Sequence, residues 1–205
     1  VVIADLVRSP MGVFQSLYEP GAKKRWSMPK EEDIIGCKIA AIDPFFLEET
    51  QATAELCVKY NKSYVTIDSK HDSYLHQHCA VNVVSKECTE SDGYKDKSIE
   101  EIYELLVAST DGLVIITSGE NDMIYGRKGQ LMKRMKPFSV DVKSTLGAGD
   151  TFKAGCVYGL LHGMEDDELV RFASACSAIA ISRFPLPLNP PTLLEVNSLL
   201  ENTKK

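Results

Sequence analysis

The amino-acid sequence predicts an α/β fold, a sandwich of three layers with a mostly parallel central sheet, an antiparallel edge and helices on both faces. Between residues 37 and 117, short apolar runs typical of buried strands alternate with amphipathic helical runs. Alternation of this kind produces a parallel sheet covered by helices. After Thr117 the chain changes to short strand-like runs separated by glycine-containing turns, which indicates the antiparallel edge.

The individual elements are predicted from hydrophobic spacing and from capping residues. Parallel strands are expected at residues 37–42, 64–67, 81–84 and 113–117, and edge strands at 123–126, 130–133 and 136–140. Helices are expected at residues 47–60, 98–108, 151–163, 166–183 and 192–201. Ser98, followed by glutamates, begins one of these helices, and Thr192 with Glu195 predicts a capping box at another.

Two regions are expected along the chain. Residues 37–205 form one α/β core, whereas residues 1–36 fit the strand and helix pattern less well. Val1 already lies within a strand-like run, so we expect the chain to be a fragment that is truncated at the N-terminus.

The composition predicts a protein that binds neither nucleic acid nor membranes. The 205 residues are 44% hydrophobic and carry a net charge of −6, so no basic field attracts an anionic polymer or bilayer. No apolar run approaches the roughly 20 residues of a membrane span. The six cysteines are scattered and form no CxxC pair, which indicates reduced thiols and a cytoplasmic location.

The segment STLGAGDTF at residues 144–152 combines a glycine turn, an acid and a helix start. Gly147 and Gly149 allow a tight turn, and their amides, with that of Ala148, can point into one concavity at the helix N-terminus. Such a concavity binds anions through unpaired N–H groups and the positive end of the helix dipole. Asp150 stands at its rim, where it can accept a proton from a hydroxyl that attacks a bound phosphate.

A purely structural interpretation explains the same residues about as well. The glycines then form only a turn, and Asp150 is only an N-cap. The small residues Ala154, Gly155 and Gly159 allow the helix to lie close against a neighbour, which suits either interpretation.

The longer stretch GAGDTFKAG resembles the C-terminal signature of the ribokinase-like (PfkB-type) carbohydrate kinases. Other segments resemble family elements in the family's order: VVSKE the metal-linked segment, LVIITSGEND the nucleotide-side strand and turn, and FASACSAIAI the helix beside the purine. The resemblance covers residues 37 to 200, and residues 1–36 are compatible with the family's lid and preceding strand. The phrases VVSK and TLGAGDTF favour ketohexokinase-like members.

The resemblance implies a ribokinase-like fold and ATP-dependent phosphorylation of a hydroxyl on a sugar or sugar-like molecule. In this interpretation Asp150 is the catalytic base, the anion hole consists of residues 147–149, and Glu87 helps to position Mg²⁺ through water. The residues implied to lie beside the nucleotide are Thr117, Gly119, Ser85 and Ala175.

Asp43 and Asp68 each follow a predicted strand. Ligands bind at the carboxyl ends of the strands in open α/β sheets, so these two acids can line the substrate or phosphate cleft. Capping of a turn or helix is an equally good explanation for a strand-ending aspartate.

Three departures from the family pattern leave an alternative open. Ser144 stands where members usually have the Asp that helps to bind a monovalent cation, so potassium activation stays open. Val84 stands where an Asn usually begins the metal-linked segment. The family's Gly-Gly stretch and sugar-contacting Asp have no counterpart. The alternative is a non-catalytic ribokinase-fold protein that binds nucleotide or a protein partner. A homodimer through the lid is compatible with either function.

Two polar clusters have weaker functional interpretations. The segment from His71 to Cys79 contains donors that bind zinc, which would suit a metal-dependent hydrolase, but its spacing is not that of a standard zinc site. Lys23, Lys24 and Arg25 can meet a phosphate in a lid, although exposed basic clusters are usually solvated faces.

Overall fold

The computed structural model describes residues 27–46, 48–185 and 188–203, and the structural statements below concern those residues. The strand-like run at Val1 and the basic cluster Lys23, Lys24 and Arg25 lie outside them.

Six strands form one sheet in sequence order. They are β1 Ile39–Ile42, β2 Ser63–Ile67, β3 Val81–Val84, β4 Leu113–Ser118, β5 Asn121–Gly126 and β6 Lys133–Met135. Strands β1 to β4 pair in parallel, and β5 and β6 extend the sheet antiparallel. The prediction of a mostly parallel sheet with an antiparallel edge is therefore confirmed.

Eight α-helices lie within the described ranges. They are α1 Glu31–Gly36, α2 Glu48–Lys59, α3 Tyr74–Gln77, α4 Lys86–Thr89, α5 Ile99–Ala108, α6 Ala148–Leu161, α7 Asp166–Ile181 and α8 Leu193–Asn202. Short 3-10 turns occupy Pro44–Phe46 and Asp92–Tyr94. In this part of the chain, no helix combines the length and the apolar character needed to cross a bilayer.

Helices cover both faces of the sheet because side chains alternate along each strand. Val65, Val83 and Ile115 point to the face on which α6 and α7 pack. Their neighbours one residue on, such as Ile116, point to the opposite face and pack against α5. The two predicted helix-covered faces are thus present, and Ile34 of α1 joins the core beneath α2.

The antiparallel edge differs from the prediction at two places. A turn around Gly129, with φ +75, is closed by the amide of Gln130, which donates to the Arg127 carbonyl at 3.0 Å. Because this turn occupies the start of the predicted strand at 130–133, β6 begins only at Lys133. The predicted strand at 136–140 is absent, since Pro137 has no N–H to donate and the ladder ends at Met135.

Helices α6 and α7 approach each other closely through glycines. A Cβ on Gly155 would lie 2.7 Å from the Cα of Ala173, and one on Gly159 would lie 2.8 Å from the Cγ of Leu169. The close helix contact expected from these small residues is therefore present. This contact fixes the position of α6 and of the GAGD turn at its N-terminus.

Candidate functional site

The GAGD turn begins α6 with an open N-terminus. Gly147 is the N-cap and adopts the left-handed conformation, with φ 79 and ψ 8, which glycine reaches without strain. Having no side chain, it offers no cap to the amides of Gly149 and Asp150. An uncapped helix N-terminus of this kind can bind an anion through its amides and its dipole.

The turn is held by hydrogen bonds to its carbonyl groups and by packing, rather than by a side-chain cap. The Thr151 hydroxyl donates to the Gly147 carbonyl at 2.8 Å, and the Ser177 hydroxyl of α7 donates to the Ala148 carbonyl at 3.1 Å. Gly149 lies against the end of β2, where a Cβ would be 2.9 Å from Ile67 Cδ1. The backbone around the concavity is thus fixed by contacts with α7 and the sheet.

Asp150 lies at the rim of this turn with a 74% exposed side chain, open to an incoming hydroxyl. Lys153, one helical turn further along α6, is buried, and its Nζ lies 3.9 Å from Asp150 Oδ1. The same ammonium forms an ion pair with Asp43, which follows β1. Lys153 was not predicted from the sequence, although a lysine three residues after an acid in a helix is a signal for such a pair.

Asp68 and Ser85 face each other across the ends of β2 and β3. The Ser85 amide donates to Asp68 Oδ1 at 2.7 Å. Burial raises the pKa of the Asp68 carboxyl, the hydrogen bonds from Ser85 oppose that shift, and the charges of Glu87 and Asp150 add to the rise. Asp68, Glu87 and Asp150 are therefore near enough for their charges to interact, close to the carboxyl ends of the strands.

This concentration of negative charge suits a divalent cation that arrives with a nucleotide. Mg²⁺ keeps several waters and uses one or two carboxylates together with substrate phosphates, so it needs no cage of protein ligands. In the described ranges, no group of three or more His, Cys, Asp or Glu side chains is arranged to enclose a metal ion. Glu87 and Asp68 are the residues that could meet a hydrated Mg²⁺.

The residues expected beside the nucleotide fall into two groups. Thr117 and Ser85 lie on neighbouring strand ends, and the Thr117 hydroxyl donates to the Val84 carbonyl at 3.4 Å. Gly119 follows with φ +61 and has open space where a Cβ would stand. Ala175 is separate, because its methyl group is fully buried where α7 meets α8.

Two of the three departures from the family pattern, at Val84 and Ser144, have local structural roles. Val84 is fully buried in the core with Ile116, so the position offers no polar side chain to the cleft. The Ser144 hydroxyl accepts a hydrogen bond from the Leu146 amide at 3.3 Å, and its own amide donates to the Ile181 carbonyl at 3.2 Å. Ser144 therefore shapes the turn before α6.

The histidines of the segment from His71 to Cys79 do not converge on a metal site. His76 is fully buried, and its Nδ1 accepts from the Asn82 side-chain amide at 2.8 Å. Its Nε2 donates to the Leu106 carbonyl at 2.9 Å. Burial lowers the pKa of this imidazole. The His78 ring instead stacks on Tyr74 with centroids 4.1 Å apart.

A largely apolar pocket of about 490 Å³ opens beside Asp150. It lies between α6, α7 and the start of α8, and its walls include Ala154, Tyr158, Phe172 and Leu193. This pocket was not predicted from the sequence, because its walls come from three helices whose packing no local pattern reveals.

The chain matches a known protein family and several known proteins. The model of a family described as pfkB family carbohydrate kinase matches residues 44–190. A 5-dehydro-2-deoxygluconokinase from Shouchella clausii is 33% identical over 103 residues, which is 50% of this chain and 31% of that relative. The chain thus spans about a third of the length of the curated relatives it matches.

Two solved structures share the fold at low sequence identity. Ribokinase from Arabidopsis thaliana, complexed with ribose and ATP, has a TM-score of 0.74 and 18% identity over 87% of this chain and 62% of that chain. A putative ribokinase II from E. coli, in complex with ATP and Mg²⁺, has a TM-score of 0.72 and 14% identity over 84% of this chain and 61% of that chain. The fold is therefore ribokinase-like, as the sequence predicted.

Proposed function

Because the chain belongs to the pfkB family of carbohydrate kinases, we propose that it transfers the γ-phosphate of ATP to a hydroxyl of a sugar or sugar-like molecule. The observation that carries this proposal is the exposed carboxylate of Asp150 at the rim of the open α6 N-terminus. An open helix N-terminus stabilises the negative charge of a phosphoryl group, and a carboxylate beside it can remove the hydroxyl proton.

The proposed roles follow from the positions of the side chains. The backbone amides of the GAGD turn, at Gly147, Ala148 and Gly149, receive the oxygens of the transferring phosphoryl group, and contacts from Ser177 and Ile67 hold that turn in place. Asp150 accepts the proton of the attacking hydroxyl. Since the turn is rigid before substrate arrives, little reorganisation accompanies the transfer, which is the condition for strong electrostatic stabilisation.

The nucleotide is proposed to lie along the strand ends that carry Ser85, Thr117 and Gly119. Gly119 leaves space at the end of β4 for a ligand to approach the backbone. When bound, Mg²⁺ would offset the charge of the phosphates, with Asp68 and Glu87 as its contacts on this chain. A contact between Ala175 and the purine would require another arrangement of α7 and α8.

The acceptor class is proposed from the relatives. The names of the compared proteins point to 5-dehydro-2-deoxygluconate and ribose as the first acceptors to assay. Because the chain spans only part of those relatives, the assays require the full-length gene product. We propose that it acts in the cytoplasm, as a monomer or a homodimer.

The substitution Asp150→Asn tests the mechanism. It keeps the shape of the side chain but removes the base, so turnover should fall by about 10²- to 10⁴-fold. ATP·Mg binding by calorimetry and the thermal midpoint should stay near the wild-type values. Asp111→Asn is the matched control, because Asp111 is exposed at the opposite, amino-terminal end of the strands. Turnover by Asp150→Asn within threefold of wild type would contradict the proposal.

A screen of acceptors separates the proposed kinase from the non-catalytic alternative. ADP release would be measured with a panel of sugars, keto-sugar acids and nucleosides at saturating ATP·Mg. Turnover of at least one acceptor supports the kinase. Binding of ATP·Mg without turnover of any acceptor would support the non-catalytic nucleotide-binding protein, for which the buried Val84 is the favouring observation.

A further inference from the structure

Lys153 is a buried lysine in the first turns of α6, close to the GAGD turn. It lies between the buried residues Phe152 and Gly155, and only 9% of its side chain is exposed. Lysines are almost never buried unless the ammonium group is paired. An apolar side chain of similar volume commonly serves stability as well as a buried ion pair does. The positive charge itself therefore calls for an explanation.

The ammonium of Lys153 lies between carboxylates that come from two different elements. On one side it forms an ion pair with Asp43, which follows β1. On the other side, its Nζ lies 3.9 Å from Asp150 Oδ1. Among the described residues, Lys153 is the one cation within 4.0 Å of the Asp150 carboxylate. Two carboxylates repel each other, so an ammonium between them holds them on the same side of α6.

The two carboxylates differ in how firmly they are held. The Thr50 hydroxyl of α2 donates to the backbone carbonyl of Asp43 at 2.5 Å, and Thr50 is itself buried, so the backbone at Asp43 is anchored to the core, and the Asp43 side chain is only 33% exposed. Asp150 is largely exposed and has no comparable anchor other than Lys153 among the described side chains. The lysine thus connects a partly buried carboxylate, on an anchored stretch of backbone, to a carboxylate that is largely exposed.

We propose that Lys153 is a positioning residue for phosphoryl transfer, and this inference rests on the proposed function. Its ammonium, anchored by Asp43, keeps the Asp150 carboxylate on the β1 side of the α6 N-terminus, beside the GAGD turn. In the reaction the acceptor oxygen forms a bond to the γ-phosphorus while its proton passes to Asp150. The bond from the γ-phosphorus to the bridging oxygen breaks, and its electron pair leaves on ADP. Lys153 keeps its proton throughout.

The substitution Lys153→Met tests the inference in the full-length protein. Methionine retains much of the side-chain volume and removes the charge, so the fold should keep its stability. We expect kcat to fall about 10- to 100-fold, because a misplaced catalytic group reacts slowly, while the KM for ATP stays within about threefold. Lys153→Arg should recover part of the lost kcat, since it restores a cation beside Asp150. A merely structural lysine would instead lower the thermal midpoint and leave kcat per folded molecule unchanged.

The variants Asp43→Asn and Asp43→Asn/Lys153→Met complete a double-mutant cycle. Asp43→Asn leaves the buried ammonium without its direct partner, so we expect the thermal midpoint to fall. The double variant removes that unpaired charge and should regain stability, yet its kcat should stay as low as that of Lys153→Met. Recovery of wild-type kcat in the double variant would overturn the inference.

Lys59→Met is the matched control, because Lys59 forms an exposed ion pair with Glu31 at 2.6 Å, remote from α6. It should leave kcat and KM unchanged. Failure of the proposed function and failure of the inference are distinguishable. A wild-type protein that turns over no acceptor overturns both, whereas an active wild type with an equally active Lys153→Met variant overturns only the role of Lys153.

Discussion

Helices α6 and α8 both pack against α7, but their N-termini are capped in opposite ways. At α8 the Thr192 hydroxyl accepts from the Glu195 amide, and the Glu195 carboxylate accepts from the Thr192 amide at 2.9 Å. At α6 the N-cap is Gly147, which provides no side-chain acceptor. The closed end satisfies its amides by itself, whereas the open end leaves amides available for a ligand.

The two helix ends are held in place by different means. Without a cap, α6 depends on neighbouring elements: Gly155 packs against Ala173, and the Ser177 hydroxyl binds the Ala148 carbonyl. At α8 the rigidity is local, since the capping box and Arg183 all act on Glu195. We therefore expect substitutions around α6 to change both stability and turnover, and those around α8 to change stability alone.

The largest stability effect is expected from Gly155→Ala, which forces α6 away from α7. The new Cβ would lie 2.7 Å from a backbone atom, so the helices must separate, and the free energy of unfolding should fall by about 1–3 kcal/mol. Turnover should fall with it, because the open end moves. Gly36→Ala is the control, since a Cβ there would meet nothing within 4 Å. Equal urea midpoints for the two variants would contradict this prediction.

A smaller effect is expected from Gly147→Ala, which strains the turn itself. A Cβ at φ 79 should cost about 1–2 kcal/mol, and the shifted amides should lower kcat. Gly163→Ala carries comparable strain at φ 67, but it follows the C-terminus of α6. Urea unfolding should show similar losses for both, and only Gly147→Ala should reduce turnover. Reduced kcat in both variants would show that general instability, and not the turn, determines turnover.

The third prediction concerns the closed end at α8. Thr192→Ala removes a capping hydroxyl and should lower the free energy of unfolding by about 1 kcal/mol. Ser98→Ala, which opens the capping box of α5, should cost a similar amount. In both variants kcat per folded molecule should equal that of the wild type. A kcat loss with Thr192→Ala, but not with Ser98→Ala, would link α8 to the site.

The smallest effect is a pH dependence carried by Glu195. The pKa of this carboxyl is lowered from 4.5 to about 2. The largest cause is the hydrogen bond from the Arg183 side chain, followed by those from the Thr192 hydroxyl and amide. Because the folded-state pKa is depressed, the stabilisation is present above pH 4.5 and is lost as pH falls from 4.5 towards 2. Carboxyl NMR titration should show this value, and Glu195→Gln should remove the corresponding slope in thermal midpoint. Titration near 4.5 would contradict the prediction.

Local patterns were sufficient for the elements whose chemistry is local. The strand at residues 81–84 was predicted with its observed bounds, because a continuous apolar run leaves little choice of ends. The capping box of Thr192 and Glu195 was also predicted, since both partners lie within four residues. The prediction of a strand at 136–140 was wrong. A strand needs a partner strand, and the pairing of β6 with β5 ends at Met135.

The layered α/β class and the GAGD turn could be predicted from local sequence, because strand alternation, glycine conformations and helix starts depend on neighbouring residues. Which charges meet at that turn depends on tertiary packing. Asp43 and Lys153 lie 110 positions apart, and no spacing rule joins them. Their contact exists because β1 ends beneath α6, and the packing of α6 on the sheet and α7 buries the lysine whose charge stands beside Asp150.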